Sequence, residues 1–473
     1  MIALKGAELL RIHLRARMPF RYGIVTMTEV PHVFLRLTFA IDGREQEGVA
    51  ADHLPPKWLT KDPARAIPEE IEEMLRVIRA AVHHAGTLSA PTPFLFWREL
   101  HAVQAAWGAA NQLPPLLAHF GTSLVERAML DAFCRAGGFP FAAALRENRF
   151  GYDLGALHAS LAGTQPADWL PARPAETVFV RHTVGLLDPI VDGDIAPADR
   201  VDDGLPQSLE ACVRFYGLRH FKIKIDADVA RARERLRRIM NVLVRACPDG
   251  YAFSLDGNES FRDPAAFAAQ MRILMAAGNL RHWFWPNLLF IEQPLHRDVA
   301  LTPAADWAAV WPDRPPIIID ESDAEIGSLP QALRLGYAGT SHKNCKGVFK
   351  GIANACLLAQ RRAAGLPALL SGEDLTNVGP VSLLQDLAVQ TVLGVGSVER
   401  NGHHYFAGLS QFPAGMQAHV LAHHGDLYIR SAAGWPRLDV RAGQVTLGSA
   451  LHAPFGCAPG LPFDGLEQVS LAL

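Results

Sequence analysis

The sequence lacks an apolar run long enough to cross a membrane. A spanning helix needs about 20 apolar residues, and even the stretch from Val381 to Val398 is interrupted by Gln385, Asp386 and Gln390. The opening segment, MIALKGAELLRIHLRARM, mixes charged residues with apolar ones and so lacks the apolar core of a signal peptide. We therefore expect neither a membrane-bound nor a secreted protein, and we predict a cytoplasmic location.

Cysteine pairs and blocks of like charge are also missing. The six cysteines are Cys134, Cys212, Cys247, Cys345, Cys356 and Cys457. They form no CxxC pair, so their spacing predicts reduced thiols rather than a disulfide framework or a structural zinc site. Lys and Arg number 45 against 48 Asp and Glu, a formal net charge of −3. Without a basic stretch, no nucleic-acid partner is expected.

The composition is that of an ordinary folded enzyme. The chain has 473 residues, of which 49% are hydrophobic and 20% charged, with 39 glycines and 33 prolines. Disordered and collagen-like proteins fall outside this range. The length allows about three domains, or one barrel of roughly 250 residues with additional parts.

Residues 1–150 show the pattern of a small α+β domain. Apolar and polar residues alternate around Leu10 and again around Leu35, which predicts two antiparallel strands. A helix is predicted to begin at Pro68. Ser123 and Glu126 have the spacing of a capping box, which predicts that a second helix begins there.

Residues 176–410 repeat short apolar strands that end in polar residues. The eight runs are VFVRHTV, HFKIKID, AFSLDGN, LLFIEQP, PIIIDES, GTSHKNC, PALLSGE and GVGSVER. The polar ends of the second to seventh runs lie 23 to 36 residues apart, room for one helix and one strand. The pattern predicts an α/β fold with a parallel (β/α)₈ barrel, and a doubly wound sheet is the alternative.

Two further segments flank or interrupt the barrel pattern. Residues 411–473 contain the short strands LYIR and QVTL and are predicted to return to the first domain. Residues 187–204 are rich in Asp and are interpreted as a solvated loop, with a lid over the site as the alternative.

The second run places two lysines on one face. Side chains alternate along a strand, so Lys222 and Lys224 both point toward the barrel axis. Burial of unpaired ammonium groups costs several kcal/mol. The pair therefore indicates a catalytic site, with a structural ion pair to Asp256 as the alternative.

Three carboxylates end the next three runs. Asp256, Glu292 and Asp320 should meet at the carboxyl-terminal mouth of the barrel, where barrel enzymes keep their sites. Like charges so close together require a cation. Oxygen ligands favour Mg²⁺, with Mn²⁺ as the alternative, over zinc.

The sixth run supplies a lysine on the opposite side of the barrel. Lys343 lies across from Lys222 and Lys224, so a base is predicted on each face of a metal-bound carboxylate substrate. Lys222 and the cation should disfavour the charged form of Lys224, as a general base requires. Lys346 is the alternative to Lys343.

These residues together resemble the enolase superfamily. The KxK motif, the three acidic strand ends and the sixth-strand lysine are similar to the muconate lactonizing enzyme subgroup. The mandelate racemase branch has a histidine on the seventh strand, where this chain has Ser371-Gly372-Glu373. Use of a Lys or His base with Mg²⁺ is a known pattern of this superfamily.

The resemblance implies a role for each of these residues. It makes Asp256, Glu292 and Asp320 metal ligands, Lys224 and Lys343 the acid/base catalysts with Lys222 in support, and Asn258, Glu321 and Glu373 groups that support the ligands. It also implies a capped barrel in which the segments 21–29 and 50–61 set substrate choice. A small-molecule carboxylate substrate and a homo-oligomer are further expectations.

The chain departs from the family pattern after Lys343. In place of the usual glycine pair it has Lys343-Asn344-Cys345-Lys346-Gly347-Val348. The predicted outcome is racemisation, epimerisation or cycloisomerisation, so the expected class is an isomerase. A dehydratase or other lyase that uses the same enolate is the alternative, and a non-catalytic barrel is the minor one.

A metal hydrolase is disfavoured, because such barrels often have an HxH motif on the first strand. Here that strand has only His182. The paired histidines His403 and His404 follow the eighth run and could contact substrate, but neither is predicted to be a catalyst.

Overall fold

The computed structural model describes residues 1–472. Its strands are β1 (Ile2–Tyr22), β2 (Val25–Ile41), β3 (Arg44–His53), β4 (Ser89–Ala90), β5 (Thr177–Val184), β6 (His220–Lys224), β7 (Ala252–Asp256), β8 (Leu288–Glu292), β9 (Ile317–Ile319), β10 (Gly339–His342), β11 (Leu369–Gly372), β12 (Ser397–Glu399), β13 (Tyr428–Arg430), β14 (Pro436–Leu438), β15 (Gln444–Thr446) and β16 (Glu467–Val469).

The helices alternate with these strands over most of the chain. They are α1 (Ile67–Gly86), α2 (Pro93–Ala110), α3 (Pro115–Gly137), α4 (Phe141–Arg146), α5 (Pro166–Trp169), α6 (Leu209–Tyr216), α7 (Val229–Ala246), α8 (Pro264–Met275), α9 (Gly278–Trp283), α10 (Arg297–Ala300), α11 (Trp307–Val310), α12 (Ser328–Arg334), α13 (Val348–Ala363), α14 (Ser382–Val392), α15 (Gly402–Tyr405), α16 (Ala414–His423) and α17 (Gly448–His452). Within the described residues, no helix is long and apolar enough to cross a membrane.

The amino-terminal sheet is antiparallel, as the alternating pattern predicts. β1 pairs with β2 and β2 with β3, and Leu9 lies opposite Leu35 in the buried face. α3 packs closely on β3 because Gly48 has no side chain: a Cβ there would lie 2.1 Å from the carbonyl oxygen of Ala128. This sheet and α1 to α3 form the domain that covers the barrel, which we call the cap.

The predicted start of the second cap helix is wrong. α3 begins at Pro115, and Ser123 lies inside it, where its hydroxyl donates to the carbonyl of Phe120. Proline at the first helical position is itself a start signal, and here it decides the boundary. Glu126 caps a different helix, as described below.

The eight predicted runs form the eight strands of a closed parallel barrel. Strands β5 to β12 are neighbours in chain order, and β12 pairs with β5 to close the sheet. Closure excludes the doubly wound alternative. The carboxyl ends of the strands therefore meet at one mouth, beneath the cap.

The segment after the barrel contacts both parts of the molecule. β15 pairs antiparallel with β5 at the barrel, and β16 pairs with β1 in the cap sheet, with Leu9 opposite Val469. The Asp-rich segment 187–204 is tied to the cap as well, because Arg17 makes a nearly buried ion pair with Asp203 at 2.6 Å.

Candidate active site

The polar ends of the barrel strands converge as a buried cluster. Lys224 pairs with Asp256 across β6 and β7, and Asp256 pairs with Glu292 across β7 and β8. These three side chains, with Lys222 and Asp320, are each at most 6% exposed. The sequence-predicted residues are thus brought together at the mouth of the barrel.

Lys222 occupies the centre of the carboxylates. Its Nζ lies 2.8 Å from Glu292, 2.8 Å from Glu399, 3.0 Å from Glu373 and 3.3 Å from Asp256. Burial opposes its charge, but the attraction of these carboxylates raises the pKa of Lys222 well above its ordinary value. The four carboxylates therefore favour the charged form of Lys222.

Lys343 is held by two carboxylates on the other side of the cluster. Its Nζ donates to Asp320 at 2.6 Å and lies 3.0 Å from Glu373. Burial opposes its charge, but Asp320 and Glu373 raise the pKa of Lys343 well above its ordinary value. Lys346 lies 2.7 Å from Asp320 Oδ1 and also donates to the backbone carbonyl groups of Asp320 and Ser341, and it does not line the cavity.

Lys224 lies farther from its nearest polar partner than Lys222, Lys343 or Lys346 does. Its Nζ donates to the amide oxygen of Asn258 at 3.2 Å and lies 3.7 Å from Asp256. The ring of Phe20, from the cap, has its centre 5.8 Å from the same nitrogen. Lys224 thus lines the cavity with few polar contacts of its own.

Several buried carboxylate oxygens have no hydrogen-bond partner. Glu292 Oε2, Glu321 Oε2 and Glu373 Oε1 are all buried and unpaired. Oxygens of Glu292, Asp320 and Glu373 lie within 4.8 Å of one another, close enough for one ion. Asp256 lies outside this set, and it accepts from the backbone N–H of Asn258 and contacts Lys222. Unpaired buried carboxylate oxygens fit a hard divalent cation.

The raised pKa values of two carboxylates show that the cluster disfavours further negative charge. Burial and the nearby Glu373 raise the pKa of Glu292 well above its ordinary value, and burial and Asp320 raise that of Glu321 to about 8. Burial alone would raise the pKa of Asp320 too, but the positive charges of Lys343 and Lys346 outweigh burial and lower it. Bound divalent charge would favour the ionised form of all these groups.

Two cap segments close on the barrel. The backbone N–H of Gly23 donates to Asn258 at 2.6 Å, and Lys61 pairs with Glu259 at 2.9 Å. Arg297 also pairs with Glu259 and donates to the carbonyl groups of residues 58 and 59. Burial alone would raise the pKa of Glu259, but Arg297 and Lys61 outweigh burial and lower this pKa to about 2.

The cavity between these parts is apolar on the cap side and charged on the barrel side. It has a volume of about 60 Å³. The apolar wall is made by Phe20, Tyr22, Met27, Val30, Pro55 and Trp58. The ring of Trp58 faces Lys343, with its centre 4.8 Å from Nζ. A carboxylate can thus meet the charged floor while an apolar group meets the cap.

Sequence reasoning missed one carboxylate of the site. Glu399 ends β12, contacts Lys222 at 2.8 Å and accepts from the hydroxyl of Thr183. The signal was present, since Glu399 ends the eighth apolar run as Glu373 ends the seventh. The histidines His403 and His404 are buried beside this strand and do not line the cavity.

Comparison with known proteins shows that this chain shares its fold with several solved structures. No protein-family model matches the chain, and no curated protein matches it. Among solved structures, a muconate lactonizing enzyme from Pseudomonas fluorescens complexed with muconolactone has 20% identity and a TM-score of 0.56, over 99% of this chain and 97% of that one. A dipeptide epimerase from Enterococcus faecalis V583 complexed with Mg and the dipeptide L-Leu-L-Tyr has 13% identity and a TM-score of 0.60, over 96% and 99%.

A third structure of the same fold is an enolase from Bradyrhizobium complexed with magnesium and mandelic acid. It has 15% identity and a TM-score of 0.56, over 97% of this chain and 96% of that one. At such identities the likeness concerns the fold, and residue roles do not follow from it. The chain has the capped-barrel fold of mandelate racemase and muconate lactonizing enzyme-like proteins of the enolase superfamily, as its motifs imply.

Proposed function

We propose that the protein is a Mg²⁺-dependent isomerase that removes the proton next to a substrate carboxylate and returns a proton. The observation that carries this proposal is the placement of Lys224 at the end of β6 and of Lys343 directly after β10, on opposite sides of the barrel and at the edges of one carboxylate cluster. The fold neighbours that contain Mg and carboxylate ligands support the same chemistry.

The proposed metal ligands are Asp256, Glu292 and Asp320. Glu373 lies within ion-sharing distance of two of them and is a further candidate. When bound, a divalent ion supplies positive charge that stabilises the developing charge on the substrate carboxylate. Glu321, with an unpaired oxygen beside Asp320, supports the same ion.

The two lysines are proposed to have unequal roles. Lys224 has only an amide oxygen and a distant carboxylate as partners, so it can lose its proton and act as the base. Lys343 is charged and held by Asp320 and Glu373, so it returns a proton as the acid on the other face. Asn258 directs Lys224, and Lys222 keeps the surrounding carboxylates in place.

The substrate class follows from the lining of the cavity. The charged floor accepts a carboxylate, and the aromatic and aliphatic wall from the cap accepts an apolar substituent. We therefore propose a small carboxylic acid with an apolar group, such as an N-acylated apolar amino acid or an apolar dipeptide. Sugar acids, with hydroxyl groups along their length, fit this wall poorly.

The experiment is proton exchange in D₂O with Mg²⁺, followed by proton NMR. We expect loss of the α-proton signal for apolar acylated amino acids or dipeptides. The Lys224→Ala variant should lower exchange by at least about 100-fold, the usual range for a general base. The Lys5→Ala variant, which changes an exposed lysine in the cap, is the matched control.

The outcomes separate the alternatives. Exchange with unchanged connectivity identifies a racemase or epimerase, a new ring identifies a cycloisomerase, and alkene or keto signals identify a lyase. Lys343→Ala should still exchange the proton facing Lys224 but should not produce the opposite stereoisomer. Full turnover in either lysine variant would refute its role.

A further inference from the structure

A second cluster of metal-ligating side chains lies beside the barrel mouth. His182, Cys212 and His404 are each at most 2% exposed, and their ligand atoms lie within 4.8 Å of one another. His182 is on β5, Cys212 on α6 and His404 on α15. None of these three residues lines the active-site cavity. The cluster therefore has no role in the mechanism proposed above.

The spacing of the ligand atoms suits a tetrahedral ion. Cys212 Sγ lies 3.5 Å from His404 Nδ1. An ion with bonds of about 2.3 Å to sulfur and about 2.0 Å to nitrogen would separate such a pair by about 3.5 Å. Little movement of these two side chains is therefore needed to place them on one ion.

The neighbouring His403 orients one of the ligands. Its Nε2 lies 3.1 Å from Nδ1 of His182. When Nδ1 of His182 carries the hydrogen and donates it, Nε2 of His182 keeps a lone pair for a metal. A ligand histidine that donates its other N–H to a fixed acceptor is the usual arrangement at metal sites.

The donor set distinguishes this cluster from the carboxylate site. Imidazole and thiolate ligands favour Zn²⁺ and other borderline-soft ions, whereas carboxylates favour Mg²⁺. Sequence spacing gives no sign of such a site, because Cys212 and His404 come from segments separated by most of the barrel. Only the closed fold brings them together.

We infer that His182, Cys212 and His404 supply three ligands for one Zn²⁺ ion, at a site independent of the proposed function. On binding, the S–H bond of Cys212 breaks, its proton leaves to the buffer, and the thiolate and two imidazole nitrogens bond to the ion. The ion would tie β5, α6 and α15 together. Arg17 of the cap strand β1 donates to the carbonyl of His404 at 3.0 Å, so the cap is fixed to the same point.

The test uses Co²⁺ as a spectroscopic probe for Zn²⁺. The full chain is reduced, stripped of metal and saturated with Mg²⁺, and Co²⁺ is then titrated in. We expect a thiolate-to-cobalt charge-transfer band in the near ultraviolet that saturates at one equivalent and disappears when Zn²⁺ is added. The carboxylate cluster contains no sulfur ligand, so Co²⁺ bound there cannot give this band.

Three variants make the assignment specific. Cys212→Ser should abolish the band, while Cys247→Ser, which changes another buried thiol, should retain it. Asp320→Asn should also retain it, which separates this site from the proposed Mg²⁺ site. If Cys212→Ser does not fold by circular dichroism, His404→Gln serves in its place and should weaken Co²⁺ binding at least tenfold. Absence of the band in the native chain, or its persistence in Cys212→Ser, would overturn the inference.

Discussion

Glu373 contacts two lysines from opposite sides of the active site. Its Oε2 lies 3.0 Å from Lys222 and 3.0 Å from Lys343, while Oε1 is buried, accepts no hydrogen bond and lies 3.9 Å from Arg181. Burial works against its charge, but the two ammonium groups outweigh it and lower the pKa of Glu373 well below its ordinary value. A charged carboxylate with one free oxygen is suited to bind a cation as well as to position the lysines.

We predict that Glu373→Gln weakens Mg²⁺ binding about 10- to 100-fold, the range found when groups around a metal are altered. The substitution keeps the shape of the side chain but removes the charge near Glu292 and Asp320. Isothermal titration with Mg²⁺ measures the effect. Glu399→Gln is the matched control, since Glu399 contacts Lys222 but lies outside the set that could share an ion. Unchanged affinity in Glu373→Gln would show that Glu373 only positions the lysines.

The residue-level predictions worked where one local pattern carried the information. Lys222 and Lys224 could be assigned to the barrel interior from the alternation of a single strand, and the acidic strand ends from the spacing of the runs. The partners of Lys222 and the contact between Cys212 and His404 depend on how distant strands close into a barrel. A sequence pattern along one segment does not contain that information.

At the level of the elements, the first N–H groups of α13 are capped by a side chain from the cap domain. Glu126 of α3 accepts the backbone N–H groups of Val348 at 3.0 Å and Phe349 at 2.6 Å. The preceding Gly347 has φ +101°, a conformation that favours glycine. After Lys343, one glycine therefore makes the turn, and a glutamate from the cap accepts the first N–H groups of the helix.

We predict that Glu126 makes stability depend on pH. Burial raises the pKa of Glu126 from 4.5 to about 7, although its backbone hydrogen bonds oppose this. Between these pH values the unfolded chain loses the proton that the folded chain keeps. The contribution of Glu126 to the free energy of unfolding should therefore fall by about 3 kcal/mol as pH rises from about 4.5 to 7, and stay constant above that.

Urea unfolding of the native chain and of Glu126→Gln over this pH range measures the difference. The free energy of unfolding of the native chain should fall relative to that of the variant as pH rises. Glu45→Gln, an exposed glutamate in the same domain, should follow the native chain. Parallel curves for the native chain and Glu126→Gln would contradict the prediction.

Strand positions could be predicted from the sequence better than helix starts. The eight barrel strands were predicted because apolar runs buried on both faces have few alternatives. The start of α3 was not, because Ser123 and Glu126 imitate a capping box within a longer helix that begins at Pro115. Their side chains are used for packing and for capping another element, and only the assembled fold decides between these uses.

For the whole molecule, the cavity and the cap contacts together imply an opening motion. The cavity of about 60 Å³ is lined on its cap side by Pro55 and Trp58 of the segment 50–61. We expect this segment to move when substrate enters, as lids over enzyme sites do. It is attached to the barrel by the ion pairs that Lys61 and Arg297 make with the buried Glu259.

We predict that Arg297→Leu loosens this segment. The change removes hydrogen bonds to the carbonyl groups of Trp58 and Leu59 and one partner of the buried Glu259. Hydrogen exchange followed by mass spectrometry should show faster exchange in peptides that cover residues 57–61, with no change in the barrel strands. Arg262→Leu, which breaks an exposed ion pair with Asp298 and a contact with His296 but no bond to the cap, is the control. Equal exchange in both variants would show that Arg297 does not hold the cap.

The pairing of β1 with β16 has a consequence for the order in which the protein forms during synthesis. Leu9 and Val469 lie opposite each other, yet the ribosome makes the whole barrel between them. The part of the β1 edge that β16 covers, Leu9 to Arg11, therefore stays unpaired until translation has passed the barrel, and such a distant contact is slow to form. A nascent chain with a complete barrel still has this short strand edge bare, and bare edges are the places where a sheet pairs with other chains.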